Sequence, residues 1–274
     1  MSEPFSIRKY LRPIPLPFCS GCGGLTVMSE FLRAVHELGH ENLDKFVFCS
    51  GIGCSSWIPS PHFMADSVHT LHGRSIPVAT GIKLLRPDLN VVVFGGDGDI
   101  VGIGLSHFIH AARRNLDILV IMVNNMVYGM TGGQVAPTTP FKAKTTTTPY
   151  GNFEHSLDAA KLAVAAGASY VSRWTTAHPN ELKDSIKKAL TLQGFRYIEA
   201  VSQCPTAFGR RVGFKDAGEM LKWFKENAIS IKQAESLSEE DLTKKIVVGE
   251  FIQKQRPTLI QTVYESIKEA QKDN

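Results

Sequence analysis

Residues 90–99, "NVVVFGGDGD", are the most informative stretch of this chain about its architecture. The unbroken apolar run Val91–Phe94 predicts a strand that is buried on both of its faces, as in a parallel sheet. Glycines at 95, 96 and 98 then turn the chain into the helical pattern of residues 100–115. A buried strand that leads through a glycine turn into a helix is half of a β-α-β unit, so the stretch predicts a parallel sheet.

The same alternation of strand and helix continues on both sides of this stretch. We predict further strands near residues 45–50, 117–125, 169–174 and 195–204, and further helices at 25–39, 75–88, 155–168 and 179–194. The pattern predicts an α/β fold, a doubly wound and mostly parallel sheet with helices on both faces, over residues 1–213. Residues 214–274 are predicted to form a charged helical extension packed on the same domain.

Composition excludes several classes of function. Of 274 residues, 43% are apolar and 20% are charged, and the net charge is +4, without the clustered basic residues that indicate nucleic-acid binding. The first residues lack the apolar core of a signal peptide, and no apolar run reaches the length of a membrane span. We therefore expect a cytoplasmic protein with neither nucleic acid nor membrane as partner, in which five cysteines favour metal or redox chemistry.

The turn at residues 95–99 has the features of a phosphate site. Gly96 and Gly98 allow close approach of the backbone, and the start of a helix offers free amides to an anion. Asp97 would repel a phosphate unless a cation lies between them, which predicts Mg²⁺. Asn125 ends the next buried strand and offers a second oxygen ligand at the same sheet edge. The alternative is a tight turn beside an unrelated asparagine pair.

Several segments resemble one family of enzymes. Residues 96–125, "GDGDIVGIGLSHFIHAARRNLDILVIMVNN", resemble the diphosphate-binding motif of thiamine diphosphate enzymes. The chain is similar to the β subunit of 2-oxoacid:ferredoxin oxidoreductases, nearest to the 2-oxoglutarate type, in "SGIGCSSWIPSPHF" (50–63), "LHGRSIPVATGIKL" (71–84), "VYGMTGGQ" (127–134) with "APTTP" (136–140), and "QCPTAFGRR" (203–211). The resemblance extends in order from Cys19 to Arg211.

The resemblance implies roles for individual residues. It implies three ligands of Mg²⁺, namely Asp97, the Asn125 side chain and the Val127 carbonyl. It also implies that Gly96, Gly98 and Asp99 line the diphosphate and that Ser55 contacts the cofactor. Three residues are expected near the reacting atoms, His72, Arg74 and Met130. Trp57 departs from the family, because many relatives carry a basic residue shortly after the cysteine of "GIGC".

The cysteines suggest a second cofactor. Taken alone, Cys19 and Cys22 fit half of a zinc site, a redox dithiol, part of an iron–sulfur cluster, or no function. A zinc site requires a second close pair, which the sequence lacks. Cys54 and Cys204 each follow a predicted strand and should reach the edge that carries Asp97. Four thiolates suit a [4Fe–4S] cluster, and the family uses these four positions. Cys49 falls inside a strand and is expected to be buried.

The resemblance implies a catalytic, electron-transferring β subunit. Its expected reaction is the thiamine-dependent oxidative decarboxylation of 2-oxoglutarate with coenzyme A, which gives acyl-CoA and CO₂ and reduces ferredoxin through the cluster. One alternative is a pyruvate or broad-range 2-oxoacid:ferredoxin oxidoreductase subunit. Others are a cluster-free thiamine decarboxylase or synthase, and a non-catalytic binding subunit with the same fold.

A partner chain is also expected. A thiamine site of this type needs a second α/β domain that binds the pyrimidine ring, and neither terminal segment is long enough to supply one. We therefore expect an α subunit that carries the pyrimidine-binding domain, an active site at the interface, and no activity of this chain alone.

Overall fold

A computed structural model describes residues 4–272 of the chain. The strands, in chain order, are β1 (Phe46–Ser50), β2 (Asp66–His69), β3 (Asn90–Gly96), β4 (Leu119–Asn124), β5 (Val127–Tyr128), β6 (Gln134–Val135), β7 (Tyr170–Thr175), β8 (Arg196–Val201), β9 (Ala228–Ser230) and β10 (Ile246–Gln253). The helices are α1 (Gly24–Glu37), α2 (Ser75–Leu85), α3 (Leu105–Arg113), α4 (Ala159–Ala165), α5 (Pro179–Thr191), α6 (Ala217–Asn227), α7 (Ile231–Ala234), α8 (Glu239–Leu242) and α9 (Leu259–Lys272).

The described residues form one eight-stranded sheet in the order β2-β1-β3-β4-β8-β7-β10-β9. The six strands from β2 to β7 in this order are mutually parallel, and β10 pairs antiparallel with β7. Strands β5 and β6 form a separate small hairpin. The predicted α/β fold with a mostly parallel sheet is confirmed.

Helices cover both faces of the sheet. Successive side chains of β3 point to opposite faces, and since they are apolar on both, each face needs helices to bury it. Val92 and Phe94 pack with α1 and α5 in one buried cluster. Val91 and Val93 pack on the other face, in a second cluster with α2, α3 and α4. Each face therefore has its own apolar core, as the continuous apolar run predicts.

Two predictions about individual elements need correction. The segment after residue 213 is not only helical, because β9 and β10 extend the main sheet beyond β7. The predicted helix after the glycine turn is interrupted, because Gly98–Ile103 forms a wider helical turn and Gly102 has a non-helical backbone before α3 begins. The division of the chain at residue 213 stays a prediction. Within residues 4–272, no helix has the length and apolar character needed to cross a membrane.

Candidate active site at the carboxyl ends of four strands

Four neighbouring strands deliver the predicted site residues to one edge of the sheet. Strands β1, β3, β4 and β8 lie side by side and run in the same direction. Cys54 follows β1, Asp97 follows β3, Asn125 follows β4, and Cys204 follows β8. In open α/β sheets, ligands bind at the carboxyl ends of the strands, so the topology makes this edge the candidate site.

A cavity of about 450 Å³ opens at this edge. Its lining contains every predicted site residue except Arg74, namely Cys19, Cys22, Cys54, Ser55, His72, Gly96, Asp97, Gly98, Asp99, Asn125, Val127, Met130 and Cys204. The volume lies within the usual range for sites of small molecules and cofactors. The residues that the sequence selects for thiamine diphosphate and those that it selects for a cluster therefore share one cavity.

Asp97 is the buried acid of this cavity, with 1% of its surface exposed. The Thr138 hydroxyl donates a hydrogen bond to Asp97 Oδ2. Burial raises the pKa of Asp97 to about 7, although hydrogen bonds from the Thr138 hydroxyl and the Gly98 amide act to lower it. A carboxyl group that is costly to ionise in isolation becomes a good ligand when a cation compensates its charge.

The Asn125 side-chain amide meets two oxygen atoms beside Asp97. The Asn125 amide lies 3.2 Å from Asp97 Oδ1 and 2.6 Å from the Val127 carbonyl oxygen. In one orientation the Asn125 nitrogen points to these two oxygens and donates a hydrogen bond to each. In the other, the Asn125 oxygen points to them, and three oxygens face one another. The second arrangement requires a cation between the oxygens, and Mg²⁺ takes oxygen ligands of this kind. The donor set therefore fits Mg²⁺.

Two polar atoms of the cavity are buried without a partner among residues 4–272. They are the hydroxyl of Ser55 and Oδ2 of Asp99. Buried polar groups in proteins nearly always have a hydrogen-bond partner, so an unpaired one at a cavity wall points to a ligand. Ser55 also lies close to Gly96, where an added Cβ would be 3.3 Å from the Ser55 hydroxyl. These atoms fit a polar group of a bound cofactor.

Asp99 has a second role that its position in the motif does not suggest. Its Oδ1 accepts hydrogen bonds from the Gly73 amide at 2.7 Å and the Ile52 amide at 3.3 Å. His72 Nδ1 lies 2.8 Å from the same oxygen. Burial raises the pKa of Asp99, and the Gly73 and Ile52 amides oppose that rise. Asp99 therefore joins the loop after β1 to the loop before α2 at the cavity wall, and its contact with the diphosphate stays a prediction.

The three residues expected near the reacting atoms have different positions. His72 lines the cavity through its contact with Asp99, and Met130 lines it with 48% of its surface exposed. Arg74 does not line the cavity, and its guanidinium donates to the Gly73 carbonyl at 3.1 Å. Arg74 immediately precedes α2 and bonds within its own loop, and its place beside the cofactor stays a prediction.

The four predicted cluster cysteines line the same cavity. Cys19 and Cys22 form a turn in which the Cys22 amide donates to the Cys19 carbonyl at 3.0 Å. The sulfurs of Cys54 and Cys204 both border Gly129, where an added Cβ would lie 3.7 and 3.8 Å from them. Cys49, in contrast, is fully buried in β1, as predicted from its place inside a strand.

Burial and mutual repulsion both act on the cavity thiols. Burial raises the pKa of Cys54 to about 11, and negative charge on Cys204, Cys22 or Cys19 contributes to the rise. The pKa of Cys22 is also raised, by burial first and then by Cys204 and Cys19. A set of thiolates that oppose one another's ionisation fits a positively charged metal centre. Within residues 4–272, no three His, Cys, Asp or Glu side chains are arranged around a single metal ion.

Sequence reasoning missed some residues of the site. Thr138 lies in a threonine-rich stretch whose composition indicates only a loop, yet its hydroxyl contacts Asp97. The Tyr128 ring packs so closely on the glycine turn that a Cβ added to Gly98 would lie 2.1 Å from it. The family resemblance includes Thr138 in "APTTP" (136–140) but assigns it no role, because its contact with Asp97 depends on a loop that returns over the sheet edge.

A comparison with family models matches residues 51–200 to "Thiamine pyrophosphate enzyme, C-terminal TPP binding domain". The chain is also 52% identical, over 95% of its length and 96% of the relative, to the 2-oxoglutarate synthase subunit KorB of Methanocaldococcus jannaschii. It is 38% identical, over 80% of its length and 67% of the relative, to 2-oxoacid:ferredoxin oxidoreductase 2, subunit beta, of Aeropyrum pernix. The chain belongs to the family of 2-oxoacid:ferredoxin oxidoreductase β subunits. The family resemblance inferred from the motifs is confirmed.

A solved structure agrees with this family. The chain matches a 2-oxoglutarate:ferredoxin oxidoreductase from Magnetococcus marinus with a TM-score of 0.85 and 33% identity, over 98% of this chain and 91% of that one. That structure was solved with 2-oxoglutarate, coenzyme A and succinyl-CoA bound. As a member of this oxidoreductase family, the chain is an enzyme subunit that works in a complex.

Proposed function

We propose that this chain is the catalytic, electron-transferring β subunit of a 2-oxoglutarate:ferredoxin oxidoreductase, which binds thiamine diphosphate, Mg²⁺ and a [4Fe–4S] cluster. The observation that supports it best is the meeting of two donor sets in one cavity. Asp97, Asn125 and Val127 offer oxygens to a hard cation, and the four cysteines offer thiolates to iron.

Each donor set has a defined task in this proposal. Asp97, Asn125 and the Val127 carbonyl would hold Mg²⁺, and the unpaired Ser55 hydroxyl would contact the diphosphate. Bound thiamine diphosphate supplies an electron sink for the decarboxylation of a 2-oxoacid. The cluster, which supplies a one-electron acceptor within the same cavity, would be held by Cys19, Cys22, Cys54 and Cys204.

The charge of the cavity supports a partner chain at the site. Among the described residues, neither lysine nor arginine lines the cavity, while Asp97 and Asp99 do. A 2-oxoacid carries at least one carboxylate, and its binding in a partly buried site needs a positive charge or several donors. Trp57 occupies the wall after Cys54 without supplying that charge. We infer that an α subunit closes the cavity and contributes the missing cation.

The proposed substrate and acceptors draw on the relatives. Relatives named 2-oxoglutarate synthase subunit KorB support 2-oxoglutarate, and a bound coenzyme A in the similar structure supports acyl-CoA as product. The names of other relatives support ferredoxin as electron acceptor. Other relatives are named for 2-oxoacids in general, so an enzyme specific for pyruvate or active on a broad range of 2-oxoacids is the second candidate. A cytoplasmic location also stays a prediction.

Retention of the cofactor in Asp97→Ala tests the proposal. The variant, assembled anaerobically with its partner chain, should lose bound thiamine diphosphate and all activity, because the cation loses its carboxylate ligand. Asp88→Ala is the matched control, since Asp88 is exposed and pairs with Arg86 in the surface loop before β3. Equal retention of thiamine diphosphate and equal activity in the Asp97 variant and the wild type would overturn the catalytic assignment.

A substrate panel tests the choice of 2-oxoacid. The assembled complex is supplied with 2-oxoglutarate or pyruvate, coenzyme A and a viologen dye under anaerobic conditions. We expect rapid dye reduction with 2-oxoglutarate and slow reduction with pyruvate. Comparable rates would assign the chain to a broad-range enzyme instead.

A further inference from the structure

A buried polar chain lies beneath the turn that presents Asn125 and Val127. Its members are Asn124 at the end of β4, Glu199 in β8 and Arg173 in β7. Asn124, Glu199 and Arg173 are 6%, 3% and 8% exposed. None of the three lines the cavity, and none belongs to the ligand set described above.

The turn itself needs support. Met126, between the two proposed Mg²⁺ ligands, has φ of 66°, a left-handed conformation that is unfavourable for a residue with a side chain. The Met126 amide donates to Asn124 Oδ1 at 3.1 Å, and its carbonyl accepts from the Thr139 hydroxyl at 2.6 Å. The Asn124 side chain therefore holds the strained residue from one side.

Glu199 fixes the orientation of Asn124. The Asn124 Nδ2 donates to Glu199 Oε1 at 2.7 Å, so its Oδ1 is left to face the Met126 amide. Arg173 Nε donates to the other oxygen, Glu199 Oε2, at 2.8 Å. Arg173 and Glu199 are direct partners in the register of β7 and β8. Each of these polar atoms on the path from β7 to the turn therefore has a defined partner.

We propose that Glu199, oriented by Arg173, is a positioning residue that holds the Asn124–Val127 turn in the geometry that binds Mg²⁺ with thiamine diphosphate. This inference rests on the proposed function. Residues that orient metal ligands from behind typically affect metal affinity by about 10- to 100-fold.

The donor and acceptor pattern predicts the effect of Glu199→Gln. If the carbonyl of the substituted side chain accepts from Arg173, its amide nitrogen faces the Asn124 nitrogen, and two donors oppose each other. If Asn124 rotates to relieve this, its nitrogen faces the Met126 amide, and the conflict moves into the turn. If the carbonyl instead keeps accepting from Asn124, the amide nitrogen opposes Arg173 Nε, and Arg173 no longer orients the side chain at position 199. Every arrangement leaves two donors opposed, because both carboxylate oxygens of Glu199 act as acceptors in the wild type.

The double variant Asn124→Asp with Glu199→Gln should restore the pattern. The new carboxylate at position 124 offers oxygens to both the Met126 amide and the new amide nitrogen at position 199. The amide carbonyl at position 199 then accepts from Arg173. The single variant Asn124→Asp instead places two carboxylates against each other and should also lose affinity. Rescue by the reciprocal exchange separates a positioning role from a general loss of packing.

The experiment uses the full chain in its assembled complex, from which Mg²⁺ and thiamine diphosphate have been removed. Calorimetry then measures the apparent Kd of Mg²⁺ at saturating thiamine diphosphate. We expect Glu199→Gln to raise this Kd by about tenfold or more, and the double variant to recover most of the affinity. Glu250→Gln is the control, because Glu250 lies in the same sheet and pairs with Lys188 and Tyr170, away from the turn. Its Mg²⁺ affinity should equal that of the wild type.

Three outcomes decide between the proposals. The positioning role is overturned if Glu199→Gln binds Mg²⁺ as tightly as the wild type, or if the double variant binds it no more tightly than the single variants. Either result leaves the proposed function intact. Failure of the wild-type complex to bind Mg²⁺ with thiamine diphosphate overturns both. If Glu199→Gln does not fold, Arg173→Lys replaces it, since it keeps the charge but loses the Nε donor; unchanged affinity there also overturns the role.

Discussion

The Thr138 hydroxyl donates a hydrogen bond to Asp97 Oδ2 across 41 residues of sequence. It occupies one oxygen of the carboxylate and leaves Oδ1 facing Asn125. The loop that carries Thr138 thereby fixes the rotation of the proposed Mg²⁺ ligand. This contact links a threonine-rich loop to the chemistry at the end of β3.

Thr138→Val should weaken Mg²⁺ binding while the chain stays folded. Valine keeps the shape of threonine and removes the donor, so Asp97 loses the contact that orients it. We expect the apparent Kd of Mg²⁺ to rise by about tenfold at saturating thiamine diphosphate, measured by calorimetry. Thr191→Val is the control, because its hydroxyl is exposed and bonds within α5. The same Kd in both variants would contradict a role for Thr138.

Serine substitutions at the cysteines should divide them into two groups. Cys54→Ser or Cys204→Ser should remove the broad visible absorbance of an iron–sulfur protein and its iron content, because a thiolate ligand is lost. Cys49→Ser should retain both, since Cys49 is buried in β1 among apolar side chains. Anaerobic absorbance spectra and iron analysis make the measurement. A colourless wild-type complex that retains thiamine diphosphate would favour the cluster-free alternative.

Glycine-to-alanine substitutions at Gly51 and Gly81 should have opposite effects on stability. A Cβ at Gly51 would lie 2.1 Å from an Asp99 oxygen and would push apart the loops that Asp99 joins. We expect a loss of about 1–3 kcal/mol in the free energy of unfolding. At Gly81, inside α2, nothing lies within 4 Å of the added Cβ. Alanine there should add about 0.5–1 kcal/mol, because glycine weakens a helix. Denaturant unfolding of both variants makes the comparison, and equal effects would contradict it.

Asp158→Asn should reduce stability in a pH-dependent way. Burial tends to raise the pKa of Asp158, but the Arg173 guanidinium and the Lys161 amide outweigh it and hold that pKa below its ordinary value of 3.8. A lowered carboxyl pKa stabilises the fold above the ordinary value, and the contribution is lost as the pH falls through the lowered one. Asparagine keeps the cap on α4 and loses the ion pair.

We expect Asp158→Asn to lower the free energy of unfolding by about 1–2 kcal/mol at neutral pH. The loss is modest because Asp158 is partly exposed and solvent screens its ion pair. The difference from wild type should shrink at a pH below 3.8, as the pH falls through the lowered pKa of the wild-type carboxyl. Urea unfolding of both proteins at the two pH values measures it. A difference that stays constant with pH would show that the ion pair is not its source.

The order of residues along the chain is enough to predict the sheet and the edge that carries the site. Continuous apolar runs separated by helical patterns require a parallel sheet buried on both faces, and parallel strands end on one edge. Cys54, Asp97, Asn125 and Cys204 each follow a strand, so their meeting is predictable without coordinates. Cys49 belongs to the core for a related reason, since it lies inside a strand.

The side chains that support this edge are visible only in three dimensions. Glu199 contacts Asn124 across 75 residues, and Thr138 contacts Asp97 across 41. Such contacts leave no periodic signal, because they depend on strand order and on loops that return over the sheet. For the same reason the folded chain, and not the motif, places Arg74 outside the cavity and adds β9 and β10 to the sheet. The local pattern predicts where each strand ends, and packing determines what each end touches.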